Sequence, residues 1–151
     1  MVTAGIDAGS RTIKVVLFDH AKDCIIAQSL CDQGVKQEAR ALALFEQALK
    51  QNGLLRSDIA RLVGTGYGRN LLSFVDRTIT EITCHAWGVR RVAPEAMTIV
   101  EIGGQDSKLI RLDSQGIVQD FAMNDRCAAG TGRFLEVVAA QLEVALEDLG
   151  K

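Results

Sequence analysis

Two short segments combine glycine with acidic, hydroxyl and lysine residues in the pattern of a phosphate-binding turn. The first is DAGSRTIK, which begins at Asp7, and the second is GGQDSK, which begins at Gly103. Backbone N–H groups exposed in such a turn converge on an anion, lysine adds positive charge, and aspartates hold the hydrated magnesium that a nucleotide brings. A single turn of this kind is common in surface hairpins, but two of them in one chain favour a nucleotide-binding function.

Two better-known phosphate motifs do not account for these turns. The Walker pattern GxxxxGK[ST] is absent, and GTGYGR, at residues 64–69, lacks the spacing and the downstream acid of a dinucleotide fingerprint. The GTGYGR segment has two interpretations, and the sequence leaves both open. It is either a strand-to-helix turn in which glycine permits a positive φ, or a further ligand contact.

A cysteine with possible chemistry, Cys127, lies in NDRCAAGTGRFLE, residues 124–136, ahead of an amphipathic run. A thiolate at the start of a helix is stabilised by unpaired N–H groups and by the helix dipole, which suits a ligand of an iron–sulfur cluster. From the spacing alone, a buried or capping thiol without a ligand is the favoured interpretation. Cys24, Cys31 and Cys84 add no CxxC pair, so the sequence supports neither a zinc knuckle nor a disulfide framework.

Composition excludes several other classes of protein. The chain has 151 residues, is 48% hydrophobic and contains one proline, so it can bury a sizeable core. Its 17 basic and 19 acidic residues give no basic surplus for nucleic-acid binding. No apolar stretch reaches the roughly 20 residues of a membrane span, and the N-terminus does not resemble a signal peptide. We therefore predict a cytoplasmic protein that uses neither nucleic acid nor membrane as a partner.

The elements that must position the turns follow from the periodicity of the apolar residues. The first half predicts strands over 3–7, 12–19 and 24–30, a helix over 36–51, a strand over 61–66, a short helix over 67–74, a strand over 77–82 and a helix over 83–93. The second half predicts strands over 97–103, 107–113 and 116–123. A final helix from near Thr131 is predicted to place one apolar stripe on a single face: Leu135, Val138, Leu142, Leu146 and Leu149.

The segments that start at Gly5 and Glu101 share a strand, a glycine turn, a lysine, a second strand ending in aspartate, and a third strand. This similarity indicates an internal duplication, although chance resemblance between two β-meanders is an alternative. The duplication predicts one lobe over residues 1–95 and the beginning of a second over 96–151. The second copy lacks the later βαβα portion of the first, so we expect the chain to be part of a longer, two-lobed protein.

The chain has a family resemblance that five motifs carry in order: GIDAGSRTIK, GTGYGR, EITCHA, VEIGGQDSK and NDRCAAGTGRFLE. It resembles the ATPases that comprise the activators of 2-hydroxyacyl-CoA dehydratases and the ATPase subunits of benzoyl-CoA reductases. These belong to the larger group of sugar kinases, Hsp70 and actin. The resemblance implies an α/β, ribonuclease-H-like fold of the actin/Hsp70 ATPase type, with the first lobe complete and the second truncated.

The resemblance also implies roles for the residues of both turns. Asp7, Asp106 and Gln105 are the implied catalytic residues, and Asp7 and Asp106 would hold magnesium through water, with possible help from Glu101. The adenosine-binding segment of such folds comes from the later part of the second lobe, so we expect weak nucleotide affinity in this chain. The implied phosphate-contacting residues are Gly9, Ser10, Thr12 and Lys14 in the first turn, and Gly103, Gly104, Gln105 and Asp106 in the second.

The function implied by the resemblance is to couple ATP hydrolysis to low-potential electron transfer. Cys127 would ligate a [4Fe–4S] cluster shared by a homodimer, to which each subunit gives a second cysteine from a later segment; no cysteine follows Cys127 here. Ferredoxin or flavodoxin would load the cluster, and an iron–sulfur acyl-CoA dehydratase or reductase would accept the electron. The alternatives are a sugar or small-molecule kinase of the same fold, and a regulatory lobe without catalysis.

Overall fold

The chain divides into two compact units, Met1–Cys84 and His85–Lys151. The computed structural model describes residues 1–127 and 129–150. Strands 1 to 5 and strands 6 to 8 belong to two separate sheets, one in each unit. The assignment of residues 1–95 and 96–151 to two ribonuclease-H-like lobes stays a prediction.

The first unit is built on a five-stranded sheet with the order β3-β2-β1-β4-β5. Strands β1 (Val2–Ala8), β2 (Thr12–Asp19) and β3 (Cys24–Asp32) form the predicted antiparallel meander. Strand β4 (Ile59–Thr65) pairs in parallel with β1, and the two-residue strand β5 (Arg77–Thr78) pairs in parallel with β4. Both strands that precede candidate turns, β1 and β4, therefore end at the same edge of the sheet.

Helix α1 (Gln37–Gln51) forms the core of this unit with the sheet. Its apolar residues recur at three- and four-residue steps, so they lie on one face of the helix, and that face is buried. The strands contribute alternate residues, as expected for a sheet with one covered face. The largest fully buried apolar side chains of the unit are Phe45, Ile6, Ile13, Leu17, Leu62 and Val15.

Two local predictions in the first unit are wrong. Residues 67–74 do not form a short helix; the structure contains only a three-residue 3-10 turn, Arg69–Leu71. The predicted strand over 77–82 is limited to β5, because helix α2 (Glu81–Val92) already begins at Glu81. The conformation of residues 67–82 depends on hydrogen bonds with residues distant in the sequence.

One of those distant contacts is made by Asp76, just before β5. Its carboxylate accepts hydrogen bonds from the Leu62 backbone N–H at 2.7 Å and from the Arg56 guanidinium at 3.0 Å. The Leu62 backbone N–H is the main cause that lowers the pKa of Asp76, with a smaller contribution from Arg56. The carboxylate thus ties the segment before β5 to the middle of β4.

The second unit contains a three-stranded antiparallel sheet with the order β6-β7-β8. Its strands are β6 (Thr98–Ile102), β7 (Ser107–Leu112) and β8 (Val118–Asn124), close to the predicted positions. Helix α3 (Gly132–Gln141) follows β8. Helix α2 contains the division between the two units.

Helix α3 is shorter than the sequence predicts. It ends at Gln141, Glu143 has a left-handed φ of 55°, and a separate 3-10 turn covers Leu146–Asp148. A non-glycine residue in that conformation interrupts a right-handed helix. The predicted stripe from Leu135 to Leu149 on one helix face is therefore wrong. In residues 1–127 and 129–150, no helix combines the length and apolar character needed to cross a membrane.

Candidate functional site

The first candidate turn joins β1 to β2 and is closed by a hydrogen bond from the Gly9 N–H to the Thr12 carbonyl at 3.1 Å. Just before the turn, Asp7 lies opposite Lys14 in the antiparallel register. The Lys14 Nζ donates to the Asp7 Oδ2 at 2.9 Å, and the two side chains are 46% and 34% exposed. An ion pair as exposed as this contributes less than about 1 kcal/mol, so a phosphate can compete for the lysine.

The first turn is also held by contacts from α1 and from the loop after β4. The Gln37 Nε2 donates to the Gly9 carbonyl at 3.0 Å, and the Gly68 N–H donates to the Ala8 carbonyl at 2.8 Å. Gln37 is only 7% exposed. Sequence reasoning missed Gln37, because a glutamine at the start of a helix shows no sign of burial until the helix is placed beside the turn. Among the described residues, none forms a hydrogen bond with Ser10 at the tip of the turn.

The GTGYGR segment has a structural role beside Asp7. Gly66 adopts a φ of +89°, and a Cβ atom at this position would collide with the Asp7 Oδ1 and with the Ala8 backbone. Only glycine combines that conformation with so close an approach. The geometry favours the interpretation of this segment as a backbone turn, and the turn positions the end of β1.

The second candidate turn joins β6 to β7 and has the same closing hydrogen bond, from the Gly103 N–H to the Asp106 carbonyl at 2.8 Å. Glu101 lies opposite Lys108 in the register. The Lys108 Nζ lies 2.9 Å from the Glu101 Oε2 and 2.7 Å from the Asp106 Oδ2. The side chain of Lys108 is 3% exposed, so this lysine is enclosed where Lys14 is not. Gln105 lies at the tip of the turn.

The two hairpins match residue by residue. In each, a glycine N–H closes the turn onto the residue three positions later, and an acid before the turn pairs with a lysine seven positions later. By this correspondence Glu101 occupies the position of Asp7, and Asp106 occupies the position of Thr12. The match supports the predicted duplication. It also shows that Glu101, for which the family resemblance implies only an assisting role, is the positional equivalent of Asp7.

Lys108 is expected to contribute more to stability than its counterpart Lys14. Lys108→Met would leave the Glu101 and Asp106 carboxylates, 19% and 24% exposed, without their shared cation. We expect a loss of about 2 kcal/mol in the free energy of unfolding, since removing the lysine from a largely buried ion pair leaves the carboxylates without a counter-ion. Lys14→Met is the matched control and is expected to cost less than about 1 kcal/mol. Urea unfolding at neutral pH measures both, and equal losses would contradict the expectation.

Cys127 lies in the loop between β8 and α3, and its side chain is exposed. Its carbonyl accepts a hydrogen bond from the Asn124 Nδ2 at 3.4 Å. Helix α3 begins at Gly132 with Thr131 as its N-cap, which confirms the predicted helix start. Cys127 lies four residues before that cap, so the expectation that its thiolate stands at the helix N-terminus is wrong. The first N–H groups of α3 have other partners: Gly132 and Arg133 donate to the carbonyls of Gly103 and Gly104, at 2.8 and 3.1 Å.

Within the described part of the chain, no group of three or more His, Cys, Asp or Glu residues could hold a metal ion. Cys24 is exposed and Cys31 and Cys84 are partly buried, and none forms a disulfide. The thiol of Cys127 is exposed and amounts to a single potential ligand. The described residues do not supply a four-thiolate site.

The profile of the BadF/BadG/BcrA/BcrD ATPase family matches residues 4–151. The chain is 46% identical over 151 residues to the activator of lactoyl-CoA dehydratase of Anaerotignum propionicum, covering 100% of this chain and 58% of the relative. It is 41% identical to the (R)-2-hydroxyglutaryl-CoA dehydratase activating ATPase of Acidaminococcus fermentans, covering 99% of this chain and 56% of the relative. The chain therefore spans somewhat more than half the length of these relatives.

A solved structure of similar sequence has the same fold. The activator of the 2-hydroxyisocaproyl-CoA dehydratase from Clostridium difficile, with bound ADPNP, matches with a TM-score of 0.89 and 44% identity. The match covers 99% of this chain and 55% of that one. The resemblance and the fold class predicted from the sequence are both confirmed.

Proposed function

Because the chain belongs to the BadF/BadG/BcrA/BcrD ATPase family, we propose that it is the nucleotide-binding portion of an ATP-hydrolysing activator. The partner is an iron–sulfur protein of the 2-hydroxyacyl-CoA dehydratase or benzoyl-CoA reductase type. The observation that carries this proposal is the pair of matching hairpins, each with a glycine turn and a lysine–acid pair at the same register. The ADPNP bound to the Clostridium difficile relative supports a nucleotide as the ligand.

In this proposal the first turn contacts phosphate through the N–H groups around Gly9 and Ser10, while Thr12 adds a hydroxyl. Lys14 exchanges its exposed pairing with Asp7 for a phosphate oxygen, because a phosphate carries more charge than one carboxylate. The second turn contributes Gly103, Gly104 and Gln105. Lys108 is enclosed by two carboxylates, so its role is to hold Glu101 and Asp106 in place.

The proposal includes magnesium, held through water by acidic residues of the turns. Asp7 and Asp106 each use the Oδ2 atom for a lysine, which leaves the Oδ1 atom of each as an acceptor for metal-bound water. When bound, magnesium would neutralise charge that develops on the phosphates during hydrolysis. The protein's own contribution is to keep Asp7 oriented so that it accepts a hydrogen bond from the attacking water, with Gln105 as a second candidate for that task.

The electron-transfer part of the proposal rests on Cys127. The exposed thiol of each of two copies in a homodimer would provide one ligand of a shared [4Fe–4S] cluster, which supplies the low-potential electron when bound. Ferredoxin or flavodoxin is the proposed donor to it. The hydrogen bonds from the start of α3 to Gly103 and Gly104 connect the segment that follows Cys127 to the second turn.

The proposal is tested on anaerobically purified protein from the complete reading frame, because the chain covers only part of its relatives. We expect magnesium-dependent ATP hydrolysis that added sugars do not change, together with bound iron and sulfide. Turnover that depends on a sugar, without iron, would indicate a small-molecule kinase instead. Neither hydrolysis nor iron, in a folded protein that still binds a partner, would indicate a regulatory lobe.

A further inference from the structure

Thr65, the last residue of β4, carries an unusual hydroxyl group. Its Oγ1 is buried and has no hydrogen-bond partner among the described residues. A buried hydroxyl without a partner costs about 1–3 kcal/mol, and native proteins leave few such groups without a reason. Valine has nearly the same shape and would fill this position without that cost. This suggests that the hydroxyl has a hydrogen-bond partner in another state of the protein.

The register of the sheet places a hydrogen-bond acceptor beside this hydroxyl. Thr65 on β4 lies beside Asp7 on β1, and Asp7 lies beside Lys14 on β2, so the three residues form one row across the sheet. Directly paired residues point to the same face of a sheet. Among the described residues, Lys14 is the only one that forms a hydrogen bond with the Asp7 carboxylate, and it reaches Asp7 from the side away from Thr65.

The row of Thr65, Asp7 and Lys14 lies at the edge of the sheet where a ligand is expected. Strands β1 and β4 are parallel, and Asp7 and Thr65 lie at their carboxyl ends, next to the Gly9 turn. Ligands of open α/β sheets bind beyond the carboxyl ends of such strands. A ligand phosphate at this edge would attract Lys14, whose side chain is 46% exposed. Asp7 would then lose its partner at the moment its orientation matters.

We propose that Thr65 is a positioning residue whose hydroxyl donates a hydrogen bond to the Asp7 carboxylate when Lys14 moves to a phosphate. In the structure described here, Asp7 is held by Lys14; with nucleotide bound, it is held by Thr65. The carboxylate stays fixed in both states, and Lys14 becomes available to the ligand. This inference deepens the proposed function, on which its nucleotide-bound half rests.

A double-mutant cycle in the protein from the complete reading frame tests the exchange without nucleotide. In the unmodified chain, Thr65→Val removes an unpartnered hydroxyl, so the unfolding equilibrium should stay unchanged or move slightly towards the folded form. In the Lys14→Met background, where Asp7 depends on Thr65, the same substitution should move that equilibrium about fivefold towards the unfolded form. Thr65→Ser keeps the hydroxyl and should not show this loss. Equal effects of Thr65→Val in both backgrounds would overturn the proposal.

Turnover provides a second readout in the protein from the complete reading frame. Thr65→Val should lower kcat for ATP about tenfold, with KM within about twofold of the unmodified protein, and Thr65→Ser should restore most of the rate. A loss of the same size in Thr65→Ser would assign the effect to the methyl group and overturn the proposal. Absence of turnover in the unmodified protein would instead refute the proposed function, while the unfolding cycle would still decide the role of Thr65.

Discussion

Replacing Asp7 with asparagine is expected to lower ATP turnover roughly a thousandfold, which is the scale for loss of one preorganised electrostatic group. Asparagine has the size of aspartate but no charge, so it holds metal-bound water poorly and is a weaker acceptor for the attacking water. It also leaves Lys14 without its present counter-ion. The measurement is phosphate release at saturating magnesium and ATP, in the protein from the complete reading frame.

The matched control for Asp7→Asn is Glu46→Gln, which removes one carboxylate charge from the exposed side of α1. The control should retain turnover within about twofold, because Glu46 is exposed and lies roughly 14 Å farther along α1 than Gln37, which contacts the first turn. The Asp7 variant should still be folded, since the Asp7–Lys14 pair is exposed and contributes little to stability. Turnover of the Asp7 variant within a few-fold of the unmodified protein would remove Asp7 from the mechanism.

The hairpins themselves could be predicted from the sequence because their determinants are local. Alternating apolar residues define the strands, and the glycines between them define the turns, so the meander of β1 to β3 and that of β6 to β8 were predicted close to their observed positions. The register that pairs Asp7 with Lys14 follows once both strands and the turn are fixed. That the turns contact phosphate follows from the family motifs and stays a prediction.

Properties that depend on distant contacts could not be predicted. Lys14 is exposed and Lys108 is enclosed, although both lysines occupy the same register position. Sequence periodicity does not distinguish them. The burial of Gln37 and the unpartnered hydroxyl of Thr65 likewise depend on how α1 and β4 lie beside the first turn. No periodicity in the chain carries that information.

Contacts distant in sequence also limit what can be predicted at the end of β8 and the start of α3. The predicted helix start near Thr131 is confirmed, since Thr131 is the N-cap. The sequence also suggests that the helix N-terminus stabilises the Cys127 thiolate, whereas the first helical N–H groups donate to Gly103 and Gly104. Gly132 suits this approach, because a Cβ atom at this position would lie 3.3 Å from the Gly103 carbonyl oxygen. The GTG segment therefore anchors α3 to the second turn, and the loop with Cys127 stands outside this contact.

This separation predicts that Cys127 can be changed without disturbing the second turn. In the protein from the complete reading frame, Cys127→Ser is expected to abolish the iron–sulfur absorption, because a serine hydroxyl does not replace a thiolate as a cluster ligand. Nucleotide binding should be retained within about threefold, since the side chain of Cys127 is exposed and the bonds to Gly103 and Gly104 come from Gly132 and Arg133.

The control for that experiment is Cys24→Ser, because Cys24 is also an exposed cysteine but lies on β3. Anaerobic reconstitution with iron and sulfide, followed by metal analysis and visible absorption, compares both variants with the unmodified protein. The Cys24 variant should keep the full iron content. If the Cys127 variant also keeps its iron, Cys127 is not a ligand. If the Cys127 variant loses nucleotide binding to the same extent as iron, the loop that contains Cys127 and the second turn are not separate, and the exposed thiol has a structural role instead.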